Sequence, residues 1–196
     1  ITARNGKVEL DRTGLTLWLK IVVASIPAGT IGLAFSDLIE ARFYNWLVVA
    51  AALIIFGIAF IVVERKHAQI NAPVQSLAEL SYGKAFAVGW FQLLAAVVPG
   101  TSRSGATILG GIIVGVQRSV AAEFTFLLAV PAMLGASIFK LTDFGLVFTS
   151  TELWALIVGT AVAFLVSIAA IKFLLGYIKQ HDFQVFGWYR IVLGVI

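Results

Sequence analysis

Side chains able to bind an anion are concentrated in residues 99–107, whose sequence is Pro-Gly-Thr-Ser-Arg-Ser-Gly-Ala-Thr. The opening proline and glycine should end an incoming helix, and a new helix should start near Ala106 or Thr107. A helix start presents free N–H groups, which together with hydroxyls and a guanidinium would form a cradle for a phosphate. Because the stretch lacks a Gly-Lys-Ser/Thr ending, it is not a nucleotide-binding P-loop.

The arginine of this stretch, Arg103, lies between two apolar runs, residues 85–98 and 106–116. An arginine at the centre of a bilayer costs roughly 2.5 to 3.5 kcal/mol, so it normally faces a polar cavity or a bound anion. Charged hydrogen bonds contribute roughly 1.5 to 3 kcal/mol each, so a phosphate held by two of them could offset that cost. We therefore predict catalytic roles for Arg103, Ser102 and Ser104, and substrate-binding roles for Thr101, Gly105 and Thr107. The alternative is a structural turn whose arginine reaches the interface while the serines cap helices.

Composition indicates a polytopic membrane protein, which sets the surroundings of this loop. The chain has 196 residues, 60% of them hydrophobic and 12% charged, and a mean hydropathy of +1.00. Soluble domains carry about 25% charged residues. The net charge of +4 comes from basic residues in short loops, which form no continuous patch, so nucleic acid is not expected as a partner. Without cysteine there can be neither a disulfide nor a thiol nucleophile.

Several apolar runs approach the roughly 20 residues that a membrane-spanning helix needs. Residues 1–16 and 36–45 are expected to form a loop and a turn, and residues 64–84 a long polar connection. A last apolar segment begins at residue 183. The predicted spans are residues 17–35, 46–63, 121–141 and 153–171.

The two runs beside the anion-binding loop are each too short to cross a bilayer, so they form either one broken crossing or a re-entrant hairpin. If the two runs form a hairpin, Arg42 and Lys140 lie on one side of the membrane, and the other loop lysines and arginines lie on the opposite side. Positive residues concentrate on the cytoplasmic side, which favours a hairpin with its base in the cytoplasm. Irregular backbone at this depth requires protein or a water-filled cavity around it.

Other polar residues have weaker claims to a site. Gln92 precedes the loop and could face the same cavity, although a hydrogen bond between helices explains it equally well. Glu123 could bind substrate, but it also suits the start of a helix. Arg190 could pair with a carboxylate, but it is expected instead to reach the membrane interface. His67 and His181 are placed in loops and are assigned no role.

Residues 99–107 resemble the Pro-Gly-x-Ser-Arg-Ser-Gly-x-Thr signature of the bacterial undecaprenyl-diphosphate phosphatases, the bacitracin-resistance proteins. Residues 123–131, Glu-Phe-Thr-Phe-Leu-Leu-Ala-Val-Pro, are similar to a second segment of that family. A third similarity is Tyr-Gly-Lys-Ala-Phe at residues 82–86. The similarity runs over most of the chain, and the first motif is specific.

The resemblance implies an all-α membrane enzyme of six spans and two re-entrant hairpins, arranged as inverted repeats, in the bacterial plasma membrane. The chain would be a single membrane domain over residues 1–196. Residues 17–63 would be the last two spans of the first repeat. Residues 81–196 would be the second repeat, truncated at its C-terminus, with its hairpin at about 85–117. The implied reaction converts undecaprenyl diphosphate to undecaprenyl phosphate with a divalent cation, Mg²⁺ or Ca²⁺. It recycles the lipid carrier of peptidoglycan synthesis and confers bacitracin resistance.

The family's other motif, Glu-x-x-x-Glu followed by Pro-x-Ser-Ser-x-Gly-His, has no match in this chain. The resemblance assigns the cation ligands and the nucleophile or base to that motif, so no metal ligand is expected here. We therefore expect an N-terminally truncated copy that carries the phosphate-binding half of the site. The alternatives are a transporter or flippase for an anionic lipid, since broken helices also bind anions in transporters, and an inactive remnant. Whether the protein forms a homodimer stays open.

Overall fold

The computed structural model describes residues 2–4, 7–9, 12–67, 72–145, 148–180 and 184–196, and most of this part of the chain is helical. The predicted all-α polytopic fold is confirmed, with a short antiparallel hairpin added at the start of the chain. The elements are β1 (Thr2–Arg4), β2 (Lys7–Glu9), α1 (Arg12–Ala34), α2 (Ser36–Phe43), α3 (Trp46–His67), α4 (Tyr82–Val97), α5 (Arg103–Ile113), α6 (Arg118–Phe144), α7 (Ser150–Gln180) and α8 (Gln184–Val195).

Four of these helices, α1, α3, α6 and α7, are long and apolar enough to cross a membrane. They coincide with the predicted spans but extend past them into polar sequence. Residues 1–16 are therefore not simply a loop, because α1 begins at Arg12. At the other boundary α3 continues to His67, so the prediction that this residue lies in a loop is wrong. A helix satisfies its own backbone hydrogen bonds, so it can continue into the headgroup region even where its side chains are polar. His181 lies outside the described residues.

The turn predicted at residues 36–45 is wrong, because α2 occupies most of this stretch. Its charged and apolar residues are mixed, so hydropathy alone gives no helical signal. Ile39 is nevertheless buried, while Leu38 and Glu40 are exposed. Packing of one face therefore stabilises a helix that local composition does not predict.

The helices α4 and α5 form a hairpin whose two outer ends meet at one level. They have 16 and 11 residues, or about 24 and 17 Å at 1.5 Å per residue, less than the roughly 30 Å of a hydrocarbon core. Residues 72–80 lead into α4 and pair with the turn that follows α5. Val74 donates to the Gly115 carbonyl at 3.3 Å, and Gln117 donates to the Val74 carbonyl at 2.9 Å. This arrangement agrees with a hairpin that enters and leaves on the same side.

Polar contacts hold the base of the hairpin to the spans around it. Lys20 of α1 is buried, and its Nζ donates to the carbonyls of Leu77 and Ala78 at 3.2 and 3.1 Å. Glu64 of α3 is also buried and forms an ion pair with Arg118, the first residue of α6. Since these contacts join α1, α3 and α6 around the hairpin, they fix its orientation in the bundle.

The helices α3 and α8 pack against each other in antiparallel directions through glycines. A Cβ added at Gly57 would lie 2.8 Å from the Gly187 carbonyl oxygen, and one added at Gly187 would lie 2.8 Å from that of Gly57. About two turns further along α8, a Cβ added at Gly194 would lie 2.9 Å from the Ala50 carbonyl oxygen. Small residues let helix backbones approach closely in lipid. The position of α8 is therefore fixed by α3.

Candidate active site

The loop between α4 and α5 has an unusual backbone. Gly100 has φ +88°, and a Cβ there would lie 2.7 Å from the Val49 carbonyl oxygen of α3, so the position requires glycine. Ser102 has φ +64° and is the one non-glycine residue with positive φ in the described part of the chain. Such a conformation costs on the order of 1 to 3 kcal/mol and is commonest at functional sites.

Ser102 also caps α5. Its Oγ accepts a hydrogen bond from the Gly105 N–H at 3.3 Å, and its carbonyl accepts from the Ala106 N–H at 2.9 Å. The helix therefore starts at Arg103, earlier than the predicted start near Ala106 or Thr107. The reason is that the serine side chain satisfies an N–H group of the first turn, which hydropathy cannot show. As a result, Arg103 and Ser104 lie in the first turn of a helix and not in a loop.

A cavity of about 200 Å³ lies next to the start of α5 and has a polar and an apolar part. Its polar wall consists of Ser102, Ser104 and Arg190. The remaining wall is built from α3, α5, α6, α7 and α8, and its residues are Phe60, Gly105, Ile108, Phe126, Leu174, Phe186 and Tyr189. The cavity thus suits a ligand with an anionic end and an apolar end.

The largest difference from the sequence analysis concerns Arg190. The prediction that it reaches the membrane interface is wrong, since this side chain is buried and lines the cavity. It donates a hydrogen bond from an amino group to the Gly100 carbonyl. The sequence carried a signal for this, because Arg190 is a charge inside an apolar segment, as Arg103 is. Its partner is 90 residues away in sequence, so the contact could not be predicted without the fold.

The predicted site residues divide into two groups by their positions. Ser102, Ser104 and Gly105 are brought together at the cavity. A Cβ on Gly105 would lie 3.1 Å from the Phe60 ring, so glycine keeps the backbone close to the wall. Arg103 is exposed in the first turn of α5 and is not part of the cavity wall.

The remaining predicted residues lie around the cavity and not in its wall. Thr107 is buried, and its hydroxyl donates to the carbonyls of Arg103 and Ser104 at 2.9 and 3.1 Å, so it braces the first turn of α5. Thr101 is fully buried, and its hydroxyl has no hydrogen-bond partner in the described residues. Gln92 is buried in α4, and Glu123 is exposed on α6.

The residues at this cavity do not fit a divalent cation. Mg²⁺ and Ca²⁺ are held by several oxygen ligands, usually including carboxylates. Here the polar wall has two hydroxyls and a guanidinium, which would repel a cation. Within the described ranges, no group of three acidic or histidine side chains could hold a metal ion. The chemistry of this donor set is that of an anion site.

Comparison with known proteins identifies relatives of the whole chain. Residues 1–196 match the family described as bacitracin resistance protein BacA. An undecaprenyl-diphosphatase from Desulfitobacterium hafniense is 55% identical over 189 residues, which cover 96% of this chain and 68% of the relative. Undecaprenyl-diphosphatase 1 from Clostridium acetobutylicum is 53% identical over 190 residues, with 97% and 69% covered.

A third relative, an undecaprenyl-diphosphatase from Enterococcus faecalis, is 53% identical over 187 residues, which cover 95% of this chain and 67% of the relative. The chain therefore spans about two thirds of the length of these relatives. Identity at this level over nearly all of its residues is well beyond what a shared fold alone produces. By sequence, by its loop motif and by its helical membrane fold, this chain belongs to the BacA family of bacitracin resistance proteins.

Proposed function

We propose that this protein hydrolyses undecaprenyl diphosphate to undecaprenyl phosphate and phosphate in the bacterial plasma membrane. Support comes from the names of its relatives, each an undecaprenyl-diphosphatase that is at least 53% identical. The observation in the structure that carries the proposal is the two-part cavity at the start of α5. By regenerating the monophosphate form of the lipid carrier, the reaction would serve peptidoglycan synthesis and confer bacitracin resistance.

The polar wall of the cavity explains how a diphosphate could be bound. The start of α5 presents backbone N–H groups and the positive end of a helix dipole. Ser102 and Ser104 add hydroxyl donors, and Arg190 adds a positive charge. Arg103, exposed in the same helical turn, would bind the oxygens of a phosphate that extends beyond the cavity wall. Together these groups would hold the terminal phosphate between protein donors.

Hydrolysis breaks the bond between the terminal phosphorus and the bridging oxygen, while a water oxygen becomes bonded to that phosphorus. Negative charge in the transition state is spread over the phosphoryl oxygens, so fixed donors around them lower the barrier. In this proposal the guanidinium and hydroxyl groups of the site have that role. The reaction is expected to need a divalent cation, whose ligands would lie outside the cavity described here.

The apolar wall accounts for the lipid part of the substrate. Phe60, Phe126 and Phe186 lie on three different helices and face one cavity with Ile108 and Leu174. Apolar contacts of this kind bind an isoprenoid chain by removing its surface from water. The prenyl units next to the diphosphate would occupy this part, and the rest of the chain would extend into the bilayer.

The experiment that tests the proposal measures phosphate release from undecaprenyl diphosphate in detergent with Mg²⁺, using the chain fused to the part of the Desulfitobacterium hafniense relative that it does not cover. Arg103→Lys should lower the rate at least about tenfold, because lysine cannot bind a phosphate with two parallel hydrogen bonds. Arg42→Lys is the matched control, since Arg42 is exposed on α2 and outside the cavity wall. Full activity of Arg103→Lys would contradict the role of Arg103. The transporter considered from the sequence gains no support from the names of the relatives.

A further inference from the structure

The second arginine of the cavity comes from α8, the last helix, far from the loop motif in sequence. Arg190 is 9% exposed, and one of its amino groups donates to the Gly100 carbonyl. That carbonyl belongs to the turn immediately before Ser102, the residue with φ +64°. The hydrogen bond therefore reaches the part of the backbone where strain is stored.

The packing of α8 on α3 determines where Arg190 lies. Gly187 lies one helical turn before Arg190 and contacts Gly57 of α3, and Gly194 lies one turn after it and contacts Ala50. These close contacts flank the arginine on both sides. Since α3 also contacts the loop at Val49 and Gly100, the same helix positions both the loop and the arginine that binds it.

The hydrogen bond to Gly100 leaves most of the donors of this guanidinium for other partners. A guanidinium has five N–H donors, and the Nε of Arg190 is buried without a hydrogen-bond partner among the described residues. Among the described residues, the buried carboxylate that forms an ion pair is that of Glu64, and its partner is Arg118 and not Arg190. A buried cation without a counter-charge is costly. An anion in the cavity would supply both the charge and the missing acceptors.

We propose that Arg190 has two tasks at this site: it positions the loop through the Gly100 carbonyl, and it binds phosphate oxygens of a diphosphate with its remaining N–H groups. The inference rests on the proposed function, since it assigns a second guanidinium to the same substrate. Arg103 and Arg190 then approach the diphosphate from the outside and the inside of the cavity wall. Two cations match a diphosphate group better than one does.

Arg190→Lys separates the two tasks. A lysine ammonium can donate to the Gly100 carbonyl, so the loop and the thermal unfolding temperature should be preserved. It cannot form paired hydrogen bonds with phosphate, so the affinity for inorganic diphosphate should fall at least about tenfold. Arg190→Gln keeps a donor for Gly100 but removes the charge, and its affinity should fall further.

Binding of inorganic diphosphate is measured by calorimetry on the full chain in detergent, with Arg42→Gln as the control for loss of a positive charge. Wild-type affinity in a folded Arg190→Lys protein would overturn the binding task. An Arg190→Leu protein with unchanged unfolding temperature would overturn the positioning task. If the wild-type chain binds diphosphate, but neither the chain nor its fusion to the uncovered part of the Desulfitobacterium hafniense relative releases phosphate from the lipid, the proposed function fails and Arg190's role in binding stands. If the wild-type chain does not bind diphosphate, the anion site itself is wrong.

Discussion

At the residue scale, the two arginines of the chain that lie in apolar sequence show what a local motif can and cannot reveal. The surroundings of Arg103 identify an anion-binding loop directly, because the hydroxyls and glycines lie beside it in sequence. Arg190 has no such neighbours, and its partner Gly100 is 90 residues away. Applying the cost of a buried charge to both arginines would have marked Arg190 as well. The acceptor of its hydrogen bond, the Gly100 carbonyl, is determined by the packing of α8.

Ser102 offers a test that separates stability from activity. Glycine tolerates φ +64° without strain, whereas the loss of the serine cap costs only a few tenths of a kcal/mol. Ser102→Gly should therefore leave the free energy of unfolding unchanged or raise it by about 1 kcal/mol. Because the hydroxyl on the cavity wall is lost, phosphate release should fall at least about tenfold. Both quantities can be measured on one preparation, by denaturation and by phosphate assay.

Ser81 provides the matched control for this prediction. It caps α4 as Ser102 caps α5, accepting from the Lys84 N–H at 3.3 Å, but its φ is −77° and it is not in the cavity wall. Ser81→Ala should cost about 1 kcal/mol of stability and leave phosphate release unchanged. If Ser102→Gly retains wild-type phosphate release, its hydroxyl has no part in the reaction.

Glu79, outside the membrane, should make the loop before α4 sensitive to acid. Its carboxylate accepts from the Gln75 N–H at 2.8 Å. This bond, with a second one from the Ser76 hydroxyl, lowers the pKa of Glu79 below its usual 4.5. A lowered pKa means that the stabilising contribution is present above pH 4.5 and is lost as the pH falls through the folded-state value.

The measurement is amide hydrogen exchange of residues 72–80 between pH 6 and pH 3, corrected for the intrinsic pH dependence of exchange. Protection of the Gln75 amide should decrease across the acidic end of this range. The neutral side chain of Glu79→Gln should remove that dependence. Equal protection of wild type at both ends would show that the carboxylate does not hold the loop.

At the element scale, hydropathy predicted the helices that cross the membrane and failed where packing decides. Spans α1, α3, α6 and α7 follow from long apolar runs. The short helix α2 and the early start of α5 do not, because they depend on the burial of Ile39 and on the cap from Ser102. The hairpin was predicted from the length of its arms and from charge distribution, and the pairing at Val74 and Val116 agrees with it.

The contact between α3 and α8 can be tested as an element. Gly187→Ala would place a Cβ 2.8 Å from the Gly57 carbonyl oxygen, so the helices must separate. Such overpacking costs typically about 1 to 3 kcal/mol, and it should move Arg190 away from Gly100. We expect a lower unfolding temperature and a several-fold loss of phosphate release.

Gly159 of α7 is the control for this substitution, since a Cβ there meets nothing within 4 Å. In Gly159→Ala, stability and phosphate release should stay close to wild type or rise slightly, because alanine favours a helix over glycine. Equal behaviour of the two variants would show that the spacing of α3 and α8 does not matter for the site.

At the scale of the whole molecule, the bundle brings a loop from the middle of the chain and an arginine from its last helix to one cavity. The cavity wall takes residues from α3, α5, α6, α7 and α8, so the site depends on the complete arrangement of these helices. Composition and the loop motif predicted a membrane protein with an anion site. The aromatic wall could not be predicted, because Phe60, Phe126 and Phe186 are ordinary apolar residues of their helices until packing brings them together.

The most direct test of the account is phosphate release from undecaprenyl diphosphate in lipid vesicles with Mg²⁺. The chain is assayed both alone and fused to the part of the Desulfitobacterium hafniense relative that it does not cover. For the fused protein we predict one phosphate released for each undecaprenyl phosphate formed, and release at least about tenfold slower with Arg103→Lys. Two results would contradict the account. In one, neither form of the protein releases phosphate; in the other, the lipid diphosphate crosses the bilayer intact.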